Sequence, residues 1–125
     1  MNRLLPRIAV GLVAIEHVYI LVLEMFFWNK PLGLRTFGLS QELADATVTL
    51  AANQGLYNGF LAAGLLWGLI TDNRVFKIFF LGCVVVAGVY GGATAAPKIF
   101  FTQAVPAIIA LGLVLALDRQ RTDVM

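Results

Sequence analysis

The chain has 125 residues, 60% of them hydrophobic and only 13% charged, with a mean hydropathy of +0.87. Soluble domains carry about 45–50% apolar and about 25% charged residues, so the composition excludes a soluble globular domain and defines an integral membrane protein. The net charge of +2 sits in basic residues at the ends of apolar runs, which is a topology signal and gives no support to nucleic acid as a partner.

About 20 helical residues cross a hydrocarbon core of about 30 Å, and four runs reach that length. The first covers about 5–28, and from Ile8 to Trp28 only Glu16, His17 and Glu24 interrupt its apolar character. Arg3 and Arg7 stand before and within its start. The run is too long for a signal-peptide core and lacks an A-x-A-like site, so it reads as a retained first helix. An outer loop is expected over 29–45, with Pro31, Gly33 and Gly38 as breakers. Ser40 followed by Glu42 has the pattern of a helix N-cap with an acid in the first turn. The second helix should therefore start above the membrane near Gln41 and span it over 46–70. Thr71–Arg74 is a polar turn. The third span is expected over 76–96, ended by Pro97, and the fourth over 100–117, followed by a short polar tail. The expected fold is all-α, a four-helix integral membrane bundle in one domain.

Arg3, Arg7, Arg74, Lys77, Arg119 and Arg121 fall on one side of these spans; Lys30, Arg35 and Lys98 fall on the other. The positive-inside rule places both termini in the cytoplasm. Trp28 and Trp67 lie near span ends, as interfacial anchors do. Gly55/Gly59, Gly64/Gly68 and Gly88/Gly92 have the four-residue spacing that lets helices approach closely. They suit packing within the bundle and also offer faces for a homo-oligomer. Cys83 is the one cysteine, which leaves no disulfide framework and no metal-ligand spacing.

Depth follows from the helical rise of about 1.5 Å per residue. Glu16 and His17 fall near the midplane and Glu24 two turns further out. Asn53, Gln54, Tyr57 and Asn58 occupy the outer half of the second span. Tyr90 and Thr94 lie in the outer half of the third, Thr102 and Gln103 in the first turn of the fourth. The cytoplasmic halves are almost wholly apolar. His17, Glu24 and Trp28 share one stripe of the first helix, and Glu16 stands about 100° to its side. Together these residues outline an outer-half polar pocket with Glu16 and His17 as its floor.

Acid and imidazole side by side suit proton transfer near neutral pH, and interhelical amides and phenols suit orienting a ligand. The bland account is that these groups only join helices through hydrogen bonds worth about 0.6–2 kcal/mol, but joining does not require ionisable groups. No serine in the spans offers a nucleophile. One histidine with two acids is a poor metal signature, and no metal or other cofactor is expected.

The elements Glu16-His17, the run Ala52-Asn53-Gln54-Gly55-Leu56-Tyr57-Asn58-Gly59-Phe60, Tyr90-Gly91 with Thr94, and Gln103 with Pro106-Ala107 resemble a family of small bacterial four-span membrane proteins catalogued as a domain of unknown function. The resemblance covers nearly the whole chain and implies a multi-pass protein of the bacterial inner membrane, with no activity to transfer. More loosely, the pocket is similar to those of sterol-isomerase-like and DoxX-like bundles. Three readings stay open. One is a binder of a hydrophobic or lipid-like small molecule, with Glu16 and His17 as an isomerase-like acid/base pair and Glu24, Asn53, Gln54, Tyr57, Asn58, Tyr90 and Gln103 as ligand contacts. The others are a small proton-coupled transporter and a structural subunit.

Overall fold

The computed structural model describes residues 3–119. Every regular element among them is helical: α1 (Leu4–Phe26), α2 (Pro31–Phe37), α3 (Gln41–Ala46), α4 (Val48–Ile70), α5 (Arg74–Thr94), α6 (Pro97–Ile99), a π-helical turn (Phe100–Ala104) and α7 (Val105–Leu117). α1, α5 and the continuous stretch Pro97–Leu117 are long and apolar enough to cross a membrane, at 23, 21 and 21 residues. The fold is all-α and of membrane type. α4 also has 23 residues, but Asn53, Gln54 and Asn58 within it reduce its apolar character.

Several boundaries differ from those read in the sequence, each for a local reason. The 29–45 connection is itself helical, holding α2 and α3. Ser40 does cap α3, its Oγ accepting from the Leu43 N–H at 3.1 Å. That helix does not run on into the membrane, however. At Thr47 the backbone leaves the helical region (φ −115°, ψ 12°), and the Thr47 hydroxyl donates to the Leu43 carbonyl at 2.7 Å, a local bond that competes with the helical ladder. α5 starts at Arg74, capped by Asn73, whose Oδ1 accepts from the Phe76 N–H at 3.1 Å. It stops at Thr94 because the residue before a proline is pushed to extended backbone, and Ala96 before Pro97 has φ −154°, ψ 133°.

The chain divides into two compact units, Met1–Ala14 with Ala63–Met125, and Ile15–Ala62. In the first, α5 packs along the π-helical turn and α7. A Cβ on Gly88 would sit 2.5 Å from the Ala104 backbone nitrogen, so only glycine allows this approach. Gly92 lies as close to Phe100, and Gly64 and Gly68 lie against Phe80 and Lys77. The expected close-packing faces are thus occupied within the chain. The wide turn at Phe100–Ala104 precedes Pro106, which has no N–H to donate to the preceding turn; the Val105 N–H reaches back five residues to the Phe100 carbonyl.

One end of this unit carries an ion cluster. The Lys77 and Asp118 side chains are each 1% exposed and 2.5 Å apart. Arg3 donates to Asp118 at 2.8 Å and to both oxygens of Asp72 at 2.7 and 2.8 Å. Lys77 also reaches Asp72 at 3.1 Å. Asp72 holds a left-handed backbone conformation (φ 52°), which aspartate tolerates better than most residues. Arg74 donates to the Asp118 and Leu115 carbonyls, groups that the end of α7 leaves without helical partners. The cluster joins the start of α1, the turn between α4 and α5, and the end of α7. Arg121, grouped with these cations in the sequence, lies outside the described residues.

The Arg3 hydrogen bond holds the Asp72 carboxyl below its ordinary value of 3.8, burial opposes it, and Lys77 adds to the lowering. Burial works to raise Asp118, but its hydrogen bonds from Lys77 and Arg3 outweigh burial and leave it lowered as well. Two outcomes are expected. Removing one member of a buried ion pair costs about 3–5 kcal/mol, so Lys77→Met should lower the unfolding midpoint in mild detergent accordingly, and adding Asp118→Leu should recover part of the loss. Carboxyls lowered in the fold stabilise it fully above their unfolded value and lose that contribution as the pH falls through the folded one. The midpoint should therefore drop only below about pH 4, and Asp118→Asn should flatten that acid limb.

Candidate functional site

The unit Ile15–Ala62 holds the C-terminal part of α1, the two short helices and the N-terminal part of α4. Its polar chemistry begins where α1 ends. A Cβ on Gly33 would overlap the Phe27 and Trp28 carbonyls, so glycine lets α2 fold back on that end. Trp28 stacks tilted on Phe37 at 4.8 Å between ring centroids and donates its indole N–H to Thr47 Oγ1 at 2.9 Å. Asn29 and Gln41 both donate to Asp45 Oδ1, at 3.1 and 2.9 Å. The α1–α4 connection is thereby tied down by side chains as well as backbone.

Below it, Gly55 and Gly59 bring α4 onto α1. A Cβ at Gly55 would meet Met25 and Glu24, and one at Gly59 would meet Leu21. This contact sets Asn58 beside Glu24, and the Asn58 amide donates to Glu24 Oε1 at 2.6 Å and to the Gln54 carbonyl at 3.1 Å. Glu24 is 6% exposed, and His17, two turns earlier on the same stripe, is fully buried. Glu16 is half-buried. Its Oε1 is nonetheless inaccessible and has no hydrogen-bond partner among the described residues.

The other residues singled out in the sequence are placed differently. Asn53, Gln54 and Tyr57 are exposed along α4, so of that polar run only Asn58 is turned onto a carboxylate. Tyr90 and Gln103 belong to the other unit; Tyr90 is 70% exposed and Gln103 is half-buried in the π-helical turn. Tyr90 borders an open apolar groove along α5, lined also by Ile78, Gly82, Cys83 and Val86. Among the described residues no three His, Cys, Asp or Glu side chains converge as a metal ion would require.

In the sequence alone, the cations near Asp72 and Asp118 mark sidedness, and their joining into one cluster is not directly visible. A signal was present: Lys77 sits one turn into an apolar run, where a buried ammonium needs a carboxylate, and Asp72 and Asp118 bracket the adjacent helix ends. Thr47 carries no such signal, because a threonine near a helix start says little alone.

A multi-pass α-helical membrane protein, with an imidazole and two carboxylates on neighbouring stripes of its first helix, is the class these features define. The chain belongs to the family described as Protein of unknown function (DUF1304), whose profile matches residues 11–115. It is 36% identical over 104 residues to the uncharacterized protein YpaA of Lactococcus lactis subsp. lactis (strain IL1403), a match covering 80% of this chain and 87% of that one. No solved structure matches the chain. The family assignment agrees with the resemblance carried by Glu16-His17 and the Asn-Gln-Gly-x-Tyr-Asn-Gly run.

The Glu24–Asn58 contact yields a direct expectation. Asn58→Leu leaves a buried carboxylate without its amide, a loss of at least about 1–3 kcal/mol. Glu24→Gln with Asn58 retained should cost less, because two amides can still hydrogen-bond. Unfolding midpoints of the two variants in the same detergent check the order.

Proposed function

We propose that this protein holds a hydrophobic small molecule by its polar group, beside Glu16 and His17 within the membrane, and that the acid–imidazole pair passes a proton to or from it. The observation that carries the reading is the Glu16 Oε1 atom, buried with no partner among the described residues. Buried polar groups are nearly always hydrogen-bonded, and leaving one unsatisfied in hydrocarbon costs several kcal/mol. A ligand hydroxyl, amine or carboxylic acid would supply the missing donor. Glu16 lies twelve residues along α1 from Leu4, about 18 Å along the helix axis, a depth that a lipid-soluble molecule reaches more readily than a polar one. Glu24 and Asn58 serve to orient the ligand, and Asn53, Gln54 and Tyr57 offer polar groups from the lipid side of α4. Tyr90 and Gln103 have no role in this reading.

The topology proposed with it has four crossings. α5 and Pro97–Leu117 leave and return to the end that carries the ion cluster. Arg3 and Asp72 meet in the same cluster, so a chain that leaves through α1 must come back before residue 72, and α4 is the remaining helix of spanning length. The excess of cations at that end favours the cytoplasmic side of the inner membrane for both termini.

A second reading, an accessory subunit or homo-oligomer, is favoured by the exposure of Asn53, Gln54 and Tyr57 on a membrane-length helix, since polar side chains join helices in lipid. Nothing comparable favours a proton-coupled transporter: from Leu4 to Ile15, α1 is apolar apart from Arg7.

The deciding experiment extracts the protein in mild detergent and identifies co-purifying hydrophobic molecules by mass spectrometry. Glu16→Gln should lose the bound molecule and still fold, with an unfolding midpoint matching that of wild type stripped of the same molecule. Equal recovery of the same molecules from both proteins would sink the proposal.

A further inference from the structure

We propose that the end of the molecule bearing the ion cluster binds the phosphate of an anionic phospholipid, with Arg3 and Arg7 as its ligands. The two arginines are four residues apart at the start of α1, on one face of the helix. Their side chains remain 43% and 42% exposed although both contact Asp72. Arg3 uses Nε and Nη2 for Asp118 and Asp72, bonds that fix the guanidinium while leaving Nη1 outside that set. Arg7 is barely engaged. Its contacts to Asp72 and to the Leu69 carbonyl are 3.5 and 3.4 Å long, beyond the usual range for such bonds, so its donors are available to a stronger acceptor.

The charge is also unbalanced in the required direction. Among the described residues, the cluster sets Arg3, Arg7, Arg74 and Lys77 against the carboxylates of Asp72 and Asp118. Lys77 is buried and Arg74 is directed to the last carbonyls of α7, so the surplus is expressed at Arg3 and Arg7. A guanidinium presents a planar fork of donors that fits phosphate oxygens two at a time, and at a helix end this fork stands at headgroup level. The neighbouring stripe of α1 identifies the source of the phosphate. Leu4, Ile8 and Leu12 are 63%, 49% and 62% exposed and run from the arginines into the hydrocarbon, where an acyl chain attached to the bound headgroup would lie. A free phosphate ion has no use for that stripe.

The test uses the full chain in nanodiscs of phosphatidylcholine with and without phosphatidylglycerol, and native mass spectrometry to count lipids retained on release. Wild type should keep phosphatidylglycerol in preference to phosphatidylcholine. Arg7→Gln is the informative variant because its long contacts contribute little to the fold, and its unfolding midpoint should match wild type. It should reduce the preference about fivefold, the effect of one cation near an anionic surface. Arg7→Lys should restore part of it, and Arg35→Gln, on α2, should leave it unchanged. Undiminished preference in a folded Arg7→Gln protein, or equal retention of the two lipids by wild type, overturns the proposal. So does displacement of phosphatidylglycerol by excess inorganic phosphate in detergent, which would make the free ion the ligand.

Discussion

An ammonium group removed from water must be met by negative charge at the same point, and one end of this molecule is arranged to meet the one on Lys77. Two carboxylates reach it, from the turn before α5 and from the residue after α7, and Arg3, just before α1, bonds to both. Neither Lys77 nor Asp118 would stay buried alone. Because the groups of the cluster come from the start of α1, the α4–α5 turn and the end of α7, satisfying one charge brings three distant parts of the chain together. Such an arrangement gives less net stability than its short distances suggest, since desolvation opposes attraction. Its stronger effect is on geometry: a helix that slid by one turn would strand a charge, so the cluster selects one alignment of helix ends over its neighbours.

Three acidic side chains in or beside the hydrocarbon are treated in three ways. Asp118 receives two cations, Glu24 receives an amide, and Glu16 has one oxygen that receives nothing from the described residues. The first arrangement suits a permanent charge, the second joins α4 to α1 through a hydrogen bond, and the third is the atom on which the proposed ligand site rests. This gradation separates the architectural end of the molecule from the region around α1 and α4 where chemistry is proposed. Glycine serves both. Gly88 brings two backbones into contact to pack α5, whereas Gly55 does so to set an amide against a carboxylate.

Much of the fold was legible because apolar length and helix punctuation are local properties. The α1, α5 and Pro97–Leu117 helices follow from their hydropathy, and the caps at Ser40 and Asn73 follow from side chains that bond to the next turn. The break at Thr47 was not legible, since a hydroxyl can either end a helix or ride on it, and the choice depends on Trp28 arriving from elsewhere in the chain. Periodicity sets His17 and Glu24 on one stripe of α1, and both are buried, but Trp28, expected on that stripe, lies beyond the end of α1 at Phe26. Periodicity could not tell which of Asn53, Gln54, Tyr57 and Asn58 would turn inward, because they cover an arc wider than one contact; the glycines at 55 and 59 decide that α1 meets the Asn58 side. The Lys77–Asp118 pairing spans 41 positions, and no local pattern announces so distant a partner.

The wide turn at Phe100–Ala104 alters how the last long helix counts. Ile99 and Ala104 both lie against glycines of α5, Gly91 and Gly88, although five residues separate them; in an unbroken α-helix that spacing would set them about 140° apart. The π turn absorbs one surplus residue and returns the helix to phase, so that Ala107, Ala110 and Val114 continue the buried line. This segment is therefore the one place where the helix can change length without changing face. A chain one residue shorter between Phe100 and Ala104 would present the same sides above and below in plain α-helix. The same deletion a turn later would rotate everything beyond it and carry Asp118 away from Lys77.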